Sequence, residues 1–291
     1  MKSDNASTST RPVLDLQSEP PVIDITPLRG WLDIDIAELW RSRELVYFLV
    51  WRAVKIRYKQ TVIGAAWAVI QPLATMLVFT VFFGRLVKIP SEGLPYPIFY
   101  FSALLPWTYF AGAVQSVTNS VVEQQHVITK VYFPRLLLPI AAAIPGLLDL
   151  AIGLVVFLPM LLLYDLNPGK PILMFPVFLL LAVATALSVG LWLAALNTLY
   201  RDVRFVVPFV IQIWMFVSPV VYPVSVVPAR WRWLYGLNPM AGVIEGFRWS
   251  LTGHGQPPTS LLAVSASAIL VVLVGGLIFF RRMEGTIADV V

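Results

Sequence analysis

Few residues in this chain could do covalent chemistry. Its 291 residues include no cysteine, so there is no thiol nucleophile, thiolate metal ligand or disulfide, and the redox compartment cannot be read. The two histidines, His126 and His254, stand far apart and outside any H-E-x-x-H arrangement, so no metal site is expected. The only Gly-Lys pair, Gly169-Lys170, is followed by Pro171 and is not set in a G-x-x-x-x-G-K-[ST] loop, so the chain should not cradle ATP itself. Carboxylates concentrate in the amino-terminal region, and no pair is spaced for acid–base work. No catalytic residue is expected. Asp149 is the one full charge inside a long apolar run. An intramembrane carboxylate suggests a proton relay or ion path, but no Lys, Arg, His or Glu stands in another such run. A neutral or hydrogen-bonded Asp within a helical bundle fits equally.

Two runs carry polar and aromatic stripes at helical spacing. Trp67, Gln71, Thr75, Phe79 and Phe82 follow at steps of four, four, four and three, and Trp214, Ser218, Tyr222 and Ser225 at four, four and three. Aromatic planes give CH-rich sugar rings a flat apolar surface, and hydroxyls and amides add weak hydrogen bonds, so such a face suits a sliding glycan. Ordinary helix packing produces the same spacing.

The elements that position these residues follow from composition. Apolar side chains make up 58% and charged ones 13%, with a mean hydropathy of +0.78; soluble domains carry about 25% charged residues. An all-α integral membrane protein is expected. The runs at about 62–83, 98–118, 136–164, 172–199, 205–227 and 259–280 predict six transmembrane helices, since a span needs about 20 apolar residues. Residues 1–30, rich in Pro, Ser, Thr and Asp, predict a disordered tail. No apolar stretch follows a basic start, so no signal peptide is expected. Residues 31–60 predict an amphipathic helix lying in the interface: Arg41, Glu44, Arg52, Lys55 and Lys59 share one face, and Trp40, Tyr47, Trp51 and Tyr58 are boundary residues.

Fifteen of the 21 Lys and Arg residues then fall on the side that holds both ends, which the positive-inside rule makes cytoplasmic. The net charge of +5 is explained by this asymmetry, and nucleic acid is not expected as a partner. The connection at 228–258 is aromatic and divided by Pro239, Gly236, Gly242 and Gly246, which predicts an external re-entrant helical hairpin before the last span. Residues 119–135 predict a short amphipathic cytoplasmic helix ending at Pro134, suited to docking a partner. No internal repeat points to an inverted-repeat transporter.

Several segments are together distinctive. Arg57-Tyr58-Lys59-Gln60-Thr61-Val62-Ile63-Gly64, then Trp67 and Gln71-Pro72-Leu73, resemble the first-span approach in ABC-2 type permeases of the polysaccharide and O-antigen export family. Leu105-Pro106-Trp107-Thr108-Tyr109-Phe110, Lys130-Val131-Tyr132-Phe133-Pro134-Arg135, the run Leu196 to Arg204, Ser218-Pro219-Val220-Val221-Tyr222-Pro223 and Leu237-Asn238-Pro239-Met240 resemble the same family in the same order. The resemblance extends from about residue 35 to the end.

It implies a homodimeric permease in the bacterial inner membrane, paired with two copies of a separate ABC ATP-binding subunit and exporting a lipid-linked polysaccharide. ATP and Mg would sit on the partner, and this chain would bind no cofactor. It maps ATPase coupling onto 119–135, with Glu123, Gln124, His126, Lys130 and Arg135. It makes Arg52, Lys55 and Arg57 candidates for the lipid pyrophosphate, the two stripes the sugar path, and Glu245 and Arg248 an external gate. Two rivals are an exporter of a smaller amphiphile, such as a drug or glycolipid, and a membrane enzyme acting on lipid-linked sugars.

Overall fold

The computed structural model describes residues 41–59, 66–128 and 133–290. The expected tail, the start of the interface helix, Gln60 to Gly64 and Lys130 lie outside the described residues. Among the described residues all regular structure is helical.

Helix α1, Arg43–Lys59, begins with Glu44 and ends with Arg57 and Lys59, charges that complement its dipole. One apolar side, Leu45, Val46, Leu49 and Val50, packs on Phe133, Leu137, Leu138 and Ala141. Tyr47, Phe48, Trp51 and Ile56 stay exposed. Helix α2, Trp67–Phe79, runs on through a π-helical stretch, Thr80–Leu86, giving a largely apolar stretch of 20 residues.

Helix α3, Tyr96–Glu123, is the central post, with 18 of its 28 residues buried. After the four-residue α4, Gln125–Ile128, the run 136–164 forms two helices, α5 (Leu137–Ala143) and α6 (Gly146–Leu163). They part at Ile144 and Pro145, both still helical in φ and ψ, where the proline has no N–H to continue the hydrogen-bond ladder. A 3-10 turn, Lys170–Met174, leads into α7, Phe175–Leu199.

Helix α8, Val203–Val217, covers only half of the expected fifth span. Ser218 precedes Pro219 and is extended, with ψ of 156°, so the helix stops there. Residues 228–258 form two unequal pieces. A 3-10 turn, Ala229–Trp231, and the four-residue α9, Arg232–Tyr235, expose Trp231, Trp233 and Leu234. Helix α10, Pro239–Thr252, is buried at 12 of 14 positions against α3, α7 and α11 (Thr259–Val290).

Four helical stretches are long and apolar enough to cross a membrane, Trp67–Leu86, Leu137–Leu163, Lys170–Leu199 and Thr259–Glu284, with α8 a shorter apolar helix. Leu77, Leu158, Phe209 and Val271 are among the large apolar residues facing outward, the inverse of a soluble fold. Inside, small residues let helices close up. An added Cβ at Gly190 of α7 would lie 2.5 Å from Val117 Cγ1 of α3. Beside Gly275 and Gly276 of α11, Trp192 stacks on Phe279 at 4.8 Å and donates Nε1–H to Val272 O at 2.9 Å. At the end of this pair Asn197 donates to Thr118 O (3.0 Å) and Asn119 Oδ1 (3.2 Å).

Candidate functional site

Helix α3 presents Thr108, Gly112, Gln115, Asn119 and Glu123 at steps of four, three, four and four, which keeps them on one face. Two cavities open along it. One of about 480 Å³ lies against α1 and α5 and is lined by Arg52, Arg57, Gln115, Asn119, Glu123 and Gln124. The other, about 500 Å³, lies against α2 and α6 and is lined by Arg57, Tyr58, Trp67, Gln71, Thr75 and Asp149. Arg57, Gly112 and Gln115 belong to both. The result is a polar trail from the end of α3 to the middle of α2, walled on one side by the interface helix.

Asp149 has its partners here. Arg57 Nη2 lies 2.5 Å from Oδ2, and the Tyr58 hydroxyl donates to Oδ1 at 2.5 Å. The carboxylate, solitary among the spans, takes its counter-ion from α1, because the end of α1 lies over the start of α6. Burial, and then the hydrogen bond to Asp149, push the Tyr58 phenol up to about 12, so it remains a donor. Arg57 keeps 43% of its side chain exposed and can still meet a ligand. Arg52 donates Nη1–H to Gln124 Oε1 at 3.3 Å, and Lys55 is exposed outside both cavities. Burial raises the Glu123 carboxyl above its ordinary range.

The two stripes divide. Trp67, Gln71 and Thr75 line the larger cavity, with Thr75 donating to Gln71 O at 3.0 Å. Phe79 does not; it is buried edge-on to Phe83 (5.3 Å) and Tyr100 (5.8 Å), while Phe82 is exposed. Each i+4 step advances about 40° past a full turn, so a row spaced by fours winds off its face, and the π-helical stretch shifts Phe82 again. The second stripe is no single helix face, because α8 ends at Val217. Its side chains meet the segment beyond: Trp214 donates Nε1–H to Asn238 Oδ1 (3.0 Å), Asn238 Nδ2 donates to Ser218 Oγ (3.0 Å), and the Tyr235 hydroxyl donates to that of Tyr222 (3.3 Å). Asn238 also caps α10 by accepting from Met240 N at 3.1 Å. Only its place before Pro239 marks it in the sequence, as an N-cap.

Of the helix expected over 119–135, residues 129–132 lie outside the described residues, and the described part does not start a new helix at 119. Its first five residues continue α3, Gln124 breaks the helix at φ −104° and ψ 18°, and α4 is a single turn. Nothing before Gln124 interrupts the helix, and Asn119 is held by Asn197. His126 is exposed. Arg135 bonds to the last helix: its backbone N–H donates to Glu284 Oε1 at 3.2 Å and its Nη1 to Glu284 O. Glu245 and Arg248 form an ion pair of 2.6 Å with Arg248 only 3% exposed. Arg248 also donates Nη2–H to Pro219 O at 2.8 Å and lies 3.9 Å over the Phe99 ring. The pair clamps α10 to the chain that follows α8.

These features define a multi-pass α-helical membrane protein with a polar groove opening beside α1. The chain belongs to the ABC-2 type transporter family, whose sequence profile matches residues 44–252, from the first turn of α1 to the end of α10. It is 29% identical over 254 residues to the O-antigen export system permease protein RfbA of Myxococcus xanthus, covering 86% of this chain and 96% of that one. It is 22% identical over 248 residues to a Klebsiella pneumoniae protein of the same name, covering 85% and 95%. To the polysialic acid transport protein KpsM of Escherichia coli it is 23% identical over 245 residues, covering 82% and 93%.

Proposed function

We propose that this chain is the membrane subunit of an ABC exporter that moves a lipid-linked polysaccharide out across the bacterial inner membrane. The observation that carries the reading is the polar trail beside α1. It offers Arg52 and Arg57 on α1 and then Trp67, Gln71 and Thr75 on the apolar helix α2, a sequence of surfaces that suits an anion followed by sugar. Guanidinium groups bind phosphate oxygens through paired N–H donors. Relatives named for O-antigen export and polysialic acid transport support the same cargo class.

In this reading two copies of the chain pair, and two separate ATP-binding subunits dock near Glu123, Gln124, His126 and Lys130. ATP and Mg²⁺ belong to those subunits, and this chain binds no cofactor. Each copy crosses the membrane six times with both ends cytoplasmic: α8 completes its crossing through the extended stretch after Ser218, and α9 and α10 re-enter from outside. The test is co-reconstitution with an ABC ATP-binding subunit from the same genome. Hydrolysis stimulated by lipid-linked polymer, and polymer protected inside inverted vesicles, are expected. Absence of both signals would overturn the reading; transport of the lipid without polymer would replace it with export of a smaller amphiphile, and turnover by the isolated chain with an enzyme.

A further inference from the structure

Arg57 is the one described cation that lines both cavities, at the wall they share, and it is already held. Asp149 takes its Nη2 at 2.5 Å and the Tyr58 hydroxyl at 2.5 Å, one on each carboxylate oxygen. A terminal phosphate offers the same two acceptors with at least equal charge. We infer that Asp149 is a resident competitor for the lipid phosphate: the anion that occupies Arg57 and Tyr58 displaces the carboxylate, and the same exchange unpins the end of α1 from α6. The inference rests on the function proposed above and adds a control to it.

Three observations favour an exchange over a fixed brace. Asp149 lies in the first turn of α6, where a helix dipole favours negative charge, and it borders a cavity of about 500 Å³, so it is not stranded when Arg57 leaves. Arg57 is 43% exposed, within reach of a ligand from the groove. The two residues that release Asp149 are adjacent on one helix, so losing both contacts frees one point of attachment. The apolar packing of Leu45, Val46, Leu49 and Val50 on α5 would hold the rest of α1 in place and make its last turn, Arg57 to Lys59, the part that moves. A bare arginine at this depth would take any anion; with Asp149 in place, only one that outbids a carboxylate gets in.

The test uses the full chain in detergent micelles with farnesyl diphosphate and inorganic pyrophosphate as probes. Tryptophan fluorescence reports binding, since Trp67 borders the site. The absence of cysteine allows a spin-label pair at I56C and L148C to report the separation of α1 and α6. D149N should bind farnesyl diphosphate about twofold to fivefold more tightly than wild type, the scale of one partly exposed ion pair, and should show the wider label separation without ligand. R57A should lose binding, and R57A/D149N should match R57A. D149S serves as a second variant should the amide distort the site. Equal or weaker binding by both Asp149 variants, no binding by any form, or binding with unchanged label separation overturns the inference. Polymer export by the wild-type chain, co-reconstituted with its ATP-binding subunit in sealed vesicles, separates that failure from failure of the proposed function. Pyrophosphate binding as tightly as farnesyl diphosphate would identify a free phosphate as the ligand and overturn the lipid form of the exchange.

Discussion

Replacing Arg248 by Met deletes the most enclosed charge among the described residues while keeping its volume. The guanidinium pairs with Glu245 at 2.6 Å, donates to Pro219 O at 2.8 Å and lies 3.9 Å over Phe99, with 3% exposure. Removing one member of a buried pair costs about 3–5 kcal/mol, because the other charge is left without compensation. At about 2–4 °C per kcal/mol for a large domain, R248M should lower the melting midpoint by about 10 °C. A thermal ramp in detergent, read as the loss of the monodisperse peak on size exclusion, measures it. The double variant E245L/R248M removes the stranded carboxylate and should recover at least half of the loss, since well-packed apolar replacements of buried pairs are often neutral. A midpoint for R248M within a degree or two of wild type, or a double variant no better than the single one, would refute the view that this pair clamps α10.

Asn238→Ala removes the acceptor of Trp214, the donor to Ser218 and the cap of α10, and should cost about 2–3 kcal/mol in the same thermal ramp. Gly190→Ala sets a methyl 2.5 Å from Val117 Cγ1; overpacking should cost about 1–3 kcal/mol, and V117A should restore stability in the double variant. Tyr58→Phe tests the phenol by pH. With its pKa raised from 10.0 to about 12, the folded state holds this proton more tightly than the unfolded one. Wild type should therefore lose stability relative to Y58F only as pH rises through 10 towards 12, with no such difference between pH 6 and 9; thermal ramps across that range check it.

Elements were more legible in the sequence than partners. Apolar runs located α2, α3, α6, α7 and α11 because lipid-facing and buried positions are both apolar, so length alone marks a span. That same uniformity hid what decides geometry. The run 205–227 gave no hint of its interruption except Pro219, and the counter-ion of Asp149 lies 92 positions away on a helix that reads as surface-bound. The α3 row Thr108, Gly112, Gln115, Asn119 and Glu123 was readable by the same spacing as the α2 stripe. It escaped because its residues are individually plain, whereas Trp67 and Phe79 draw attention as aromatics; one of those two lines the groove and the other fills the core. The Glu245–Arg248 pair was visible at i,i+3, but its burial under Phe99 and Pro219 depends on contacts no local pattern encodes.

Helix α11 is fastened at both ends. Glu284 accepts from Arg135 beside the 125–135 segment, and Ser265, 19 residues away, donates to Gly236 O and accepts from Gly242 N. At 1.5 Å per residue that is a rod of about 28 Å, stiffened along its length by Trp192 and Phe279. A displacement applied to one end therefore arrives at the other as tilt or piston travel rather than being absorbed in loops. The family match ends at residue 252, yet the helix beyond that boundary, long and apolar enough to cross a membrane, is what ties Arg135 to the start of α10.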